Sequence, residues 1–386
     1  MPWREVSPVD ERLRFVARVE EGERITDLCR EFGISRKTGH KILKRYREDG
    51  LAGLVDQRRA PQRIPHRTPP EIRAKFLEAK RRHPTWGPRK LKAWLERKQP
   101  GVVLPAASSM GYWLKREGLV KARRRRRRPS YLSPWELTKP AKPNDVWCAD
   151  FKGQFKLANG RYCYPLTITD LYSQFLVACI ALESTKAETA RWAFSEAFRE
   201  YGLPAVIRSD NGCPFASTAL AGLSSLSAFW LRLGIRAERI EPAHPEQNGQ
   251  HERMHLTLKE ETTRPAGANL LQQQERFDVF REEFNEERPH EALGQRTPAS
   301  FYSPSERACP TKVQELAYPL HDLTRLVSGS GLVSLRQKVF FLTTALAGEN
   351  VGLREVEDGR WLVSYVSLDL GYFDERTRTF KAATTA

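Results

Sequence analysis

The first third of the chain has apolar side chains at the spacing of short helices. Four such positions are Leu13, Phe15, Val16 and Val19. Residues 25–46 then predict a helix, a turn at Gly33, a cap at Ser35 and a second helix over about residues 36–47. Residues 1–56 are therefore predicted to form a helix-turn-helix module, with a plain helical hairpin as the alternative.

A second helical region follows a proline-rich segment. Residues 57–70 are basic and rich in proline, which predicts a linker. Residues 71–122 show three further helical patterns, which predict a second helix-turn-helix module. Residues 123–143 begin with six consecutive arginines and continue with prolines, so we interpret them as an Arg-rich hinge that follows DNA phosphates or a minor groove.

Residues 144–300 alternate between strand and helix patterns. Apolar runs at 146–148 and 204–207 are short enough for buried strands, and residues 161–182 have the alternation of two paired strands. Residues 186–201 have the spacing of an amphipathic helix. The order strand, strand, strand, helix, strand, helix, strand, helix predicts an α/β domain with a mixed sheet.

From about residue 318 the pattern changes to short alternating strands, with a turn at Asp358-Gly359. Residues 318–386 are therefore predicted to form a small β-barrel. Its residues are nearly neutral in charge, so contact with another subunit and contact with DNA both stay open.

The charge is concentrated in the N-terminal third. The chain has a net charge of +17, but residues 1–139 carry 36 Lys and Arg against 16 Asp and Glu, whereas residues 140–386 carry 28 against 31. This asymmetry predicts double-stranded DNA as the partner of the first third. The predicted DNA-binding residues are Arg36, Lys37, Thr38, Lys41, Lys44, Arg89, Lys90, Lys92, Arg123, Arg124, Arg125, Arg126, Arg127 and Arg128.

The six cysteines are scattered and form no C-x-x-C pair. This pattern predicts neither a disulfide framework nor a zinc site. We also find no signal peptide and no apolar run of membrane length, so the sequence predicts a cytoplasmic protein without a membrane partner.

Acidic residues lie at the ends of predicted strands and at the start of a predicted helix. Asp150 lies in a strand pattern, Asp210 follows one, and Glu252 lies where residues 250–261 take helical spacing. Carboxylates so arranged are typical ligands for a divalent metal. Asp170 is a fourth candidate, but its position in a hairpin favours capping of the turn.

Five segments in order across this region resemble the DDE transposases of bacterial insertion sequences, whose catalytic core is of the retroviral-integrase type. They are W-C-A-D-F-K-G, T-I-T-D-L-Y-S-Q-F, S-D-N-G, H-P-E-Q-N-G-Q-H-E-R and F-N-E-E-R-P-H-E-A-L. The resemblance implies an RNase H-like core, two Mg²⁺ or Mn²⁺ ions, and Asp150, Asp210 and Glu252 as both the catalytic and the metal-binding triad.

The third acid has an alternative. The spacing that the resemblance implies fits Glu246, whereas the helical position of the motif fits Glu252. A helix holds a ligand more rigidly than a loop does, which favours Glu252. A small insertion at residues 219–227 would explain the longer spacing.

The resemblance implies a DNA transposase that binds element ends, frees 3′-hydroxyls by strand cleavage and joins them to target DNA. We expect it to act as a homo-oligomer, a dimer or tetramer, on terminal repeats and target DNA. A DNA-binding regulator that no longer cuts, and a structure-specific nuclease, are the alternatives.

Overall fold

The structure is a computed structural model that describes residues 7–56, 68–120, 137–217, 219–241, 244–312 and 315–383. The six arginines of the predicted hinge and most of the predicted linker lie outside these ranges. The chain divides into two compact units, Met1–Thr68 and Pro69–Ala386.

The first unit is a bundle of three helices. They are α1 Pro8–Glu20, α2 Ile25–Glu31 and α3 Arg36–Asp49, followed by a 3-10 turn at Gly50–Leu54. Gly33 has a φ of +63°, which ends α2, and the Ser35 hydroxyl accepts the backbone N–H of Thr38 to begin α3. The buried core consists of Phe15, Val16, Leu28, Cys29, Leu43 and Leu54.

Helix α3 packs closely on α2 because Gly39 has no side chain. A Cβ at this position would lie 2.6 Å from Cys29 Sγ and 3.0 Å from Phe15 Cζ. The close approach leaves the basic side of α3 exposed, since Arg36, Lys37, Lys41 and Lys44 all lie at the surface.

The second unit begins with three helices, α4 Pro70–Arg82, α5 Pro88–Lys98 and α6 Ala107–Arg116. Pro88 begins α5, where its missing N–H costs no helical hydrogen bond. The three helices share a core that includes Phe76, Trp86, Leu91 and Met110.

A mixed sheet and four helices follow. The strands are β1 Val146–Phe151, β2 Phe155–Lys156, β3 Tyr162–Asp170, β4 Leu176–Leu182, β5 Val206–Ser209 and β6 Arg236–Arg239. The helices are α7 Ala187–Tyr201, α8 Ser225–Arg232, α9 Gly249–Thr262 and α10 Leu270–Glu282, which continues as a π-helical turn at Glu283–Glu287. A short 3-10 turn at Leu220–Gly222 lies within the predicted insertion.

The sheet has the order β2-β3-β1-β5-β6, with β4 paired to β3. Strands β1, β3 and β4 pair antiparallel, whereas β1, β5 and β6 pair parallel. Helices α7 and α8 pack on one face, and α9 and α10 pack on the other. The predicted RNase H-like mixed sheet is confirmed.

The C-terminal strands are β7 Leu323–Leu326, β8 Leu332–Leu335, β9 Lys338–Phe341, β10 Asn350–Glu357, β11 Arg360–Tyr365, β12 Leu368–Asp374 and β13 Thr379–Ala382. They form an antiparallel five-stranded sheet and a two-stranded sheet around one apolar core. This small all-β domain contacts α8, because the Tyr365 hydroxyl donates to the Ala228 carbonyl and Arg232 pairs with Glu349.

Candidate active site

Asp150 and Asp210 lie at the same end of two adjacent parallel strands. In the pairing of β1 with β5, Val146 lies opposite Val206 and Cys148 opposite Arg208. The same register carried two residues further brings Asp150 level with Asp210. Asp210 directly follows β5, and one of its carboxylate oxygens accepts the backbone N–H of Gly212 at 3.1 Å.

Glu252 lies in the first turn of α9 and is exposed. Its charge acts on Asp150, whose pKa is raised to about 7 first by burial and then by the charges of Asp210 and Glu252. The alternative acid Glu246 lies in the 3-10 turn Pro245–Asn248, and its side chain is outside the described part of the structure.

Two histidines of α9 lie beside Asp150, and they were not among the predicted site residues. Among the described residues, Asp150, His251 and His255 are the one group of three or more His, Cys, Asp or Glu side chains whose ligand atoms all lie within 4.8 Å of one another, and Asp210 and Glu252 are not members of it. The signal was present as H-E-x-x-H from His251 to His255, a spacing that sets two histidines on one face of a helix.

Both histidines bond to threonines of β3. Thr167 Oγ1 lies 2.7 Å from His251 Nε2 and 2.6 Å from His255 Nε2, and Thr169 Oγ1 lies 2.8 Å from His251 Nδ1. Burial lowers the pKa of His251 to about 3 and that of His255 to about 2, so both rings are neutral. Because threonine hydroxyls occupy both nitrogens of His251, the two-histidine zinc site of metalloproteases is not formed here.

Asp170 lies away from this group and caps a turn, as its hairpin position predicts. Its carboxylate accepts the Asn144 N–H at 2.7 Å, the Ser173 N–H at 2.8 Å and the Ser173 hydroxyl at 2.6 Å. These bonds occupy both carboxylate oxygens, so Asp170 has a structural role.

Comparison with known proteins finds four matching domain profiles. Two profiles described as integrase core domain match residues 140–245 and 233–298, a homeodomain-like profile matches residues 38–114, and a helix-turn-helix profile matches residues 11–62. The chain contains an integrase core.

Relatives of this integrase core occur in bacterial insertion elements. The insertion element IS407 uncharacterized 31.7 kDa protein of Burkholderia multivorans is 28% identical over 232 residues, which are 60% of this chain and 80% of that protein. The insertion element IS476 uncharacterized 39.2 kDa protein of Xanthomonas euvesicatoria is 28% identical over 272 residues, 69% of this chain and 75% of that protein. These matches confirm the predicted resemblance and support a DNA transposase.

A solved structure of the HTLV-2 integrase catalytic core domain in complex with magnesium aligns with 43% of this chain and 100% of that chain, at 17% identity and a TM-score of 0.34.

Among the described residues, no helix combines the length and apolar character needed to span a bilayer.

The predicted DNA-binding residues fall into three groups. Those of α3 are exposed, and Thr38 is also bonded to Ser35. Those of α5 have protein partners: Arg89 pairs with Glu291 at 2.9 Å, and Lys92 lies 3.6 Å from Glu96. The Arg123 to Arg128 segment lies outside the described residues. Contact of all three groups with DNA stays a prediction.

Helices α4 and α5 dock on the integrase core through basic residues. His83 Nδ1 lies 2.7 Å from Glu283 Oε1, and Lys98 Nζ lies 3.0 Å from Glu287 Oε1. Lys90 is half-buried at this contact, and burial, followed by the charge of Arg288, lowers its pKa to about 8. Part of the positive charge of the second module therefore faces protein in this structure.

Proposed function

We propose that this chain is a DNA transposase that binds element ends through its helix-turn-helix modules and cuts and joins strands at Asp150, Asp210 and Glu252. The observation that supports it most is the position of Asp150 and Asp210 at one end of adjacent parallel strands, with Glu252 near enough to raise the pKa of Asp150. The integrase core carries this reaction class, polynucleotidyl transfer.

A divalent cation fits this group of acids. Asp150 is partly buried beside two other negative groups, an arrangement that is costly unless a cation offsets the charge. Oxygen ligands of this type suit Mg²⁺ or Mn²⁺. Asp150 would contact two such ions, Asp210 one of them and Glu252 the other. The ions would supply activation of the attacking oxygen and neutralisation of charge on the phosphate.

The protein's own groups would hold and orient the DNA. The exposed face of α3 would fix the position of the element end by phosphate and base-edge contacts. Strands β1 and β5 would keep two carboxylates fixed relative to each other, because both lie on a hydrogen-bonded sheet. The reaction is hydrolysis at the element end, which frees a 3′-hydroxyl, followed by attack of that hydroxyl on a phosphodiester of target DNA with release of the 3′-oxygen of the target strand.

The test is Asp150→Asn, assayed on DNA that carries the inverted repeats that we expect to flank the gene. We expect unchanged binding of the ends and loss of strand transfer. Asp145→Asn is the matched control, because within the described residues the Asp145 carboxylate accepts only the backbone N–H groups of Ala141 and Lys142, and it should keep both activities. Strand transfer by Asp150→Asn would remove Asp150 from the site, and end binding without transfer by the unaltered chain would favour the inert regulator.

A further inference from the structure

The histidines of α9 give the site a nitrogen atom that the three acids do not provide. Both rings are buried against β3, on the face of the sheet that also carries Asp150. His255 Nδ1 lies 3.6 Å from Asp150 Oδ2. The question is which of these nitrogens has a lone pair directed at the carboxylate.

The hydrogen bonds of the two threonine hydroxyls decide which ring nitrogen of each histidine carries the proton. Thr167 Oγ1 contacts three groups: the Asp150 carbonyl oxygen at 3.1 Å, His251 Nε2 and His255 Nε2. The hydroxyl has one proton, and the carbonyl can only accept it. All three contacts are hydrogen bonds if Thr167 donates to the carbonyl and each histidine donates its Nε2–H to Thr167.

That assignment leaves both Nδ1 atoms unprotonated. His251 Nδ1 accepts a hydrogen bond from the Thr169 hydroxyl, 2.8 Å away. His255 Nδ1 instead has its lone pair beside the carboxylate of Asp150. Two acceptors that face each other repel unless a cation lies between them.

The distance between His255 Nδ1 and Asp150 Oδ2 fits a metal ion bound by both atoms better than a proton shared between them. A distance of 3.6 Å is too long for a hydrogen bond between a protonated carboxyl and a ring nitrogen. Two ligand atoms that each lie about 2.1 Å from one ion cannot be more than about 4.2 Å apart, and 3.6 Å is within that limit.

We propose that His255 Nδ1 is a nitrogen ligand of the divalent ion held by Asp150. The proposal rests on the proposed function, which supplies the ion, and it adds a residue outside the acidic triad. Thr167 acts as a positioning residue, because its hydrogen bond fixes the ring orientation and tautomer of His255. An imidazole ligand favours Mn²⁺ over Mg²⁺, since Mg²⁺ prefers oxygen.

The test uses the full chain with Mn²⁺ alone and reads the ligand directly by pulsed electron paramagnetic resonance. We expect ¹⁴N coupling of the imidazole type in the unaltered chain, and its loss in His255→Asn. Affinity for Mn²⁺ should fall about tenfold or more in that variant, whereas affinity for Mg²⁺ should change by less than about threefold.

His251→Asn is the matched control, because His251 lies one turn earlier on the same helix and bonds only to threonines. It should keep the ¹⁴N coupling. Bound Mn²⁺ without ¹⁴N coupling in the unaltered chain would overturn the proposal and leave the carboxylate site standing. Coupling that survives in His255→Asn but not in His251→Asn would assign the ligand to His251. Absence of Mn²⁺ binding would overturn both the nitrogen ligand and the metal site of the proposed function.

Discussion

The role of Asp170 can be tested by its removal. Asp170 is fully buried, and its carboxylate accepts three hydrogen bonds from Asn144 and Ser173. Asp170→Ala would leave two backbone N–H groups and one hydroxyl without an acceptor. Each buried donor without a partner costs about 1–3 kcal/mol. Burial also raises the pKa of Asp170 and so disfavours its charged form. The free energy of unfolding should therefore fall by an amount at the lower end of the summed range, about 3–5 kcal/mol.

The assay is urea unfolding of the full chain followed by far-ultraviolet circular dichroism, with Mn²⁺ binding measured in parallel. Asp145→Ala is the matched control, since Asp145 also accepts two backbone N–H groups but at a solvent-accessible position. It should cost about 1 kcal/mol, because water can replace the lost acceptor. A decrease of less than about 1 kcal/mol in the free energy of unfolding of Asp170→Ala would refute the capping role of Asp170. Loss of Mn²⁺ binding from a stably folded variant would make Asp170 a ligand.

Three further predictions concern the first unit and the acidic group. Gly39→Ala should destabilise the first unit by about 1–3 kcal/mol in thermal unfolding, because the new methyl group would lie 2.6 Å from Cys29 Sγ; an unchanged midpoint would contradict this close packing. Lys41→Ala should lower DNA affinity for all sequences and reduce the slope of log K against log salt by about one, whereas Arg14→Ala on α1 should leave that slope unchanged. The metal-free chain should lose stability as the pH rises from about 4 to about 7, because the pKa of about 7 for Asp150 means that the folded state keeps a proton the unfolded chain releases. Melting in EDTA from pH 4 to 8 should show this slope up to about pH 7, and Asp150→Asn should flatten it.

The elements of the integrase core were predictable because their signals are local. Strand β1 begins with four apolar residues, Val146 to Ala149, and α7 repeats its buried positions at helical spacing. The positions of Asp150 and Asp210 were predictable for the same reason, since an acid at the end of a buried strand stands out in the sequence alone; their catalytic role stays a prediction. The turn at Gly33 and the cap at Ser35 likewise predicted the start of α3.

The histidine network was not predictable from local pattern, although H-E-x-x-H is visible. His251 and Thr167 are separated by 84 residues, and only the packing of α9 on β3 brings them together. The protein partners of α5 were also not predictable from local pattern, because its basic residues have the pattern of a DNA-binding helix. In the folded unit Arg89 lies against Glu291, far along the chain.

The sequence alone therefore determined where strands, helices and turns lie and which acids end the strands, because these depend on neighbours along the chain. Only the tertiary structure decided which nitrogen faces Asp150, which acid caps a turn and which basic residues face protein. Those outcomes depend on contacts between distant segments, and the orientation of each side chain is set by the partners that folding brings to it.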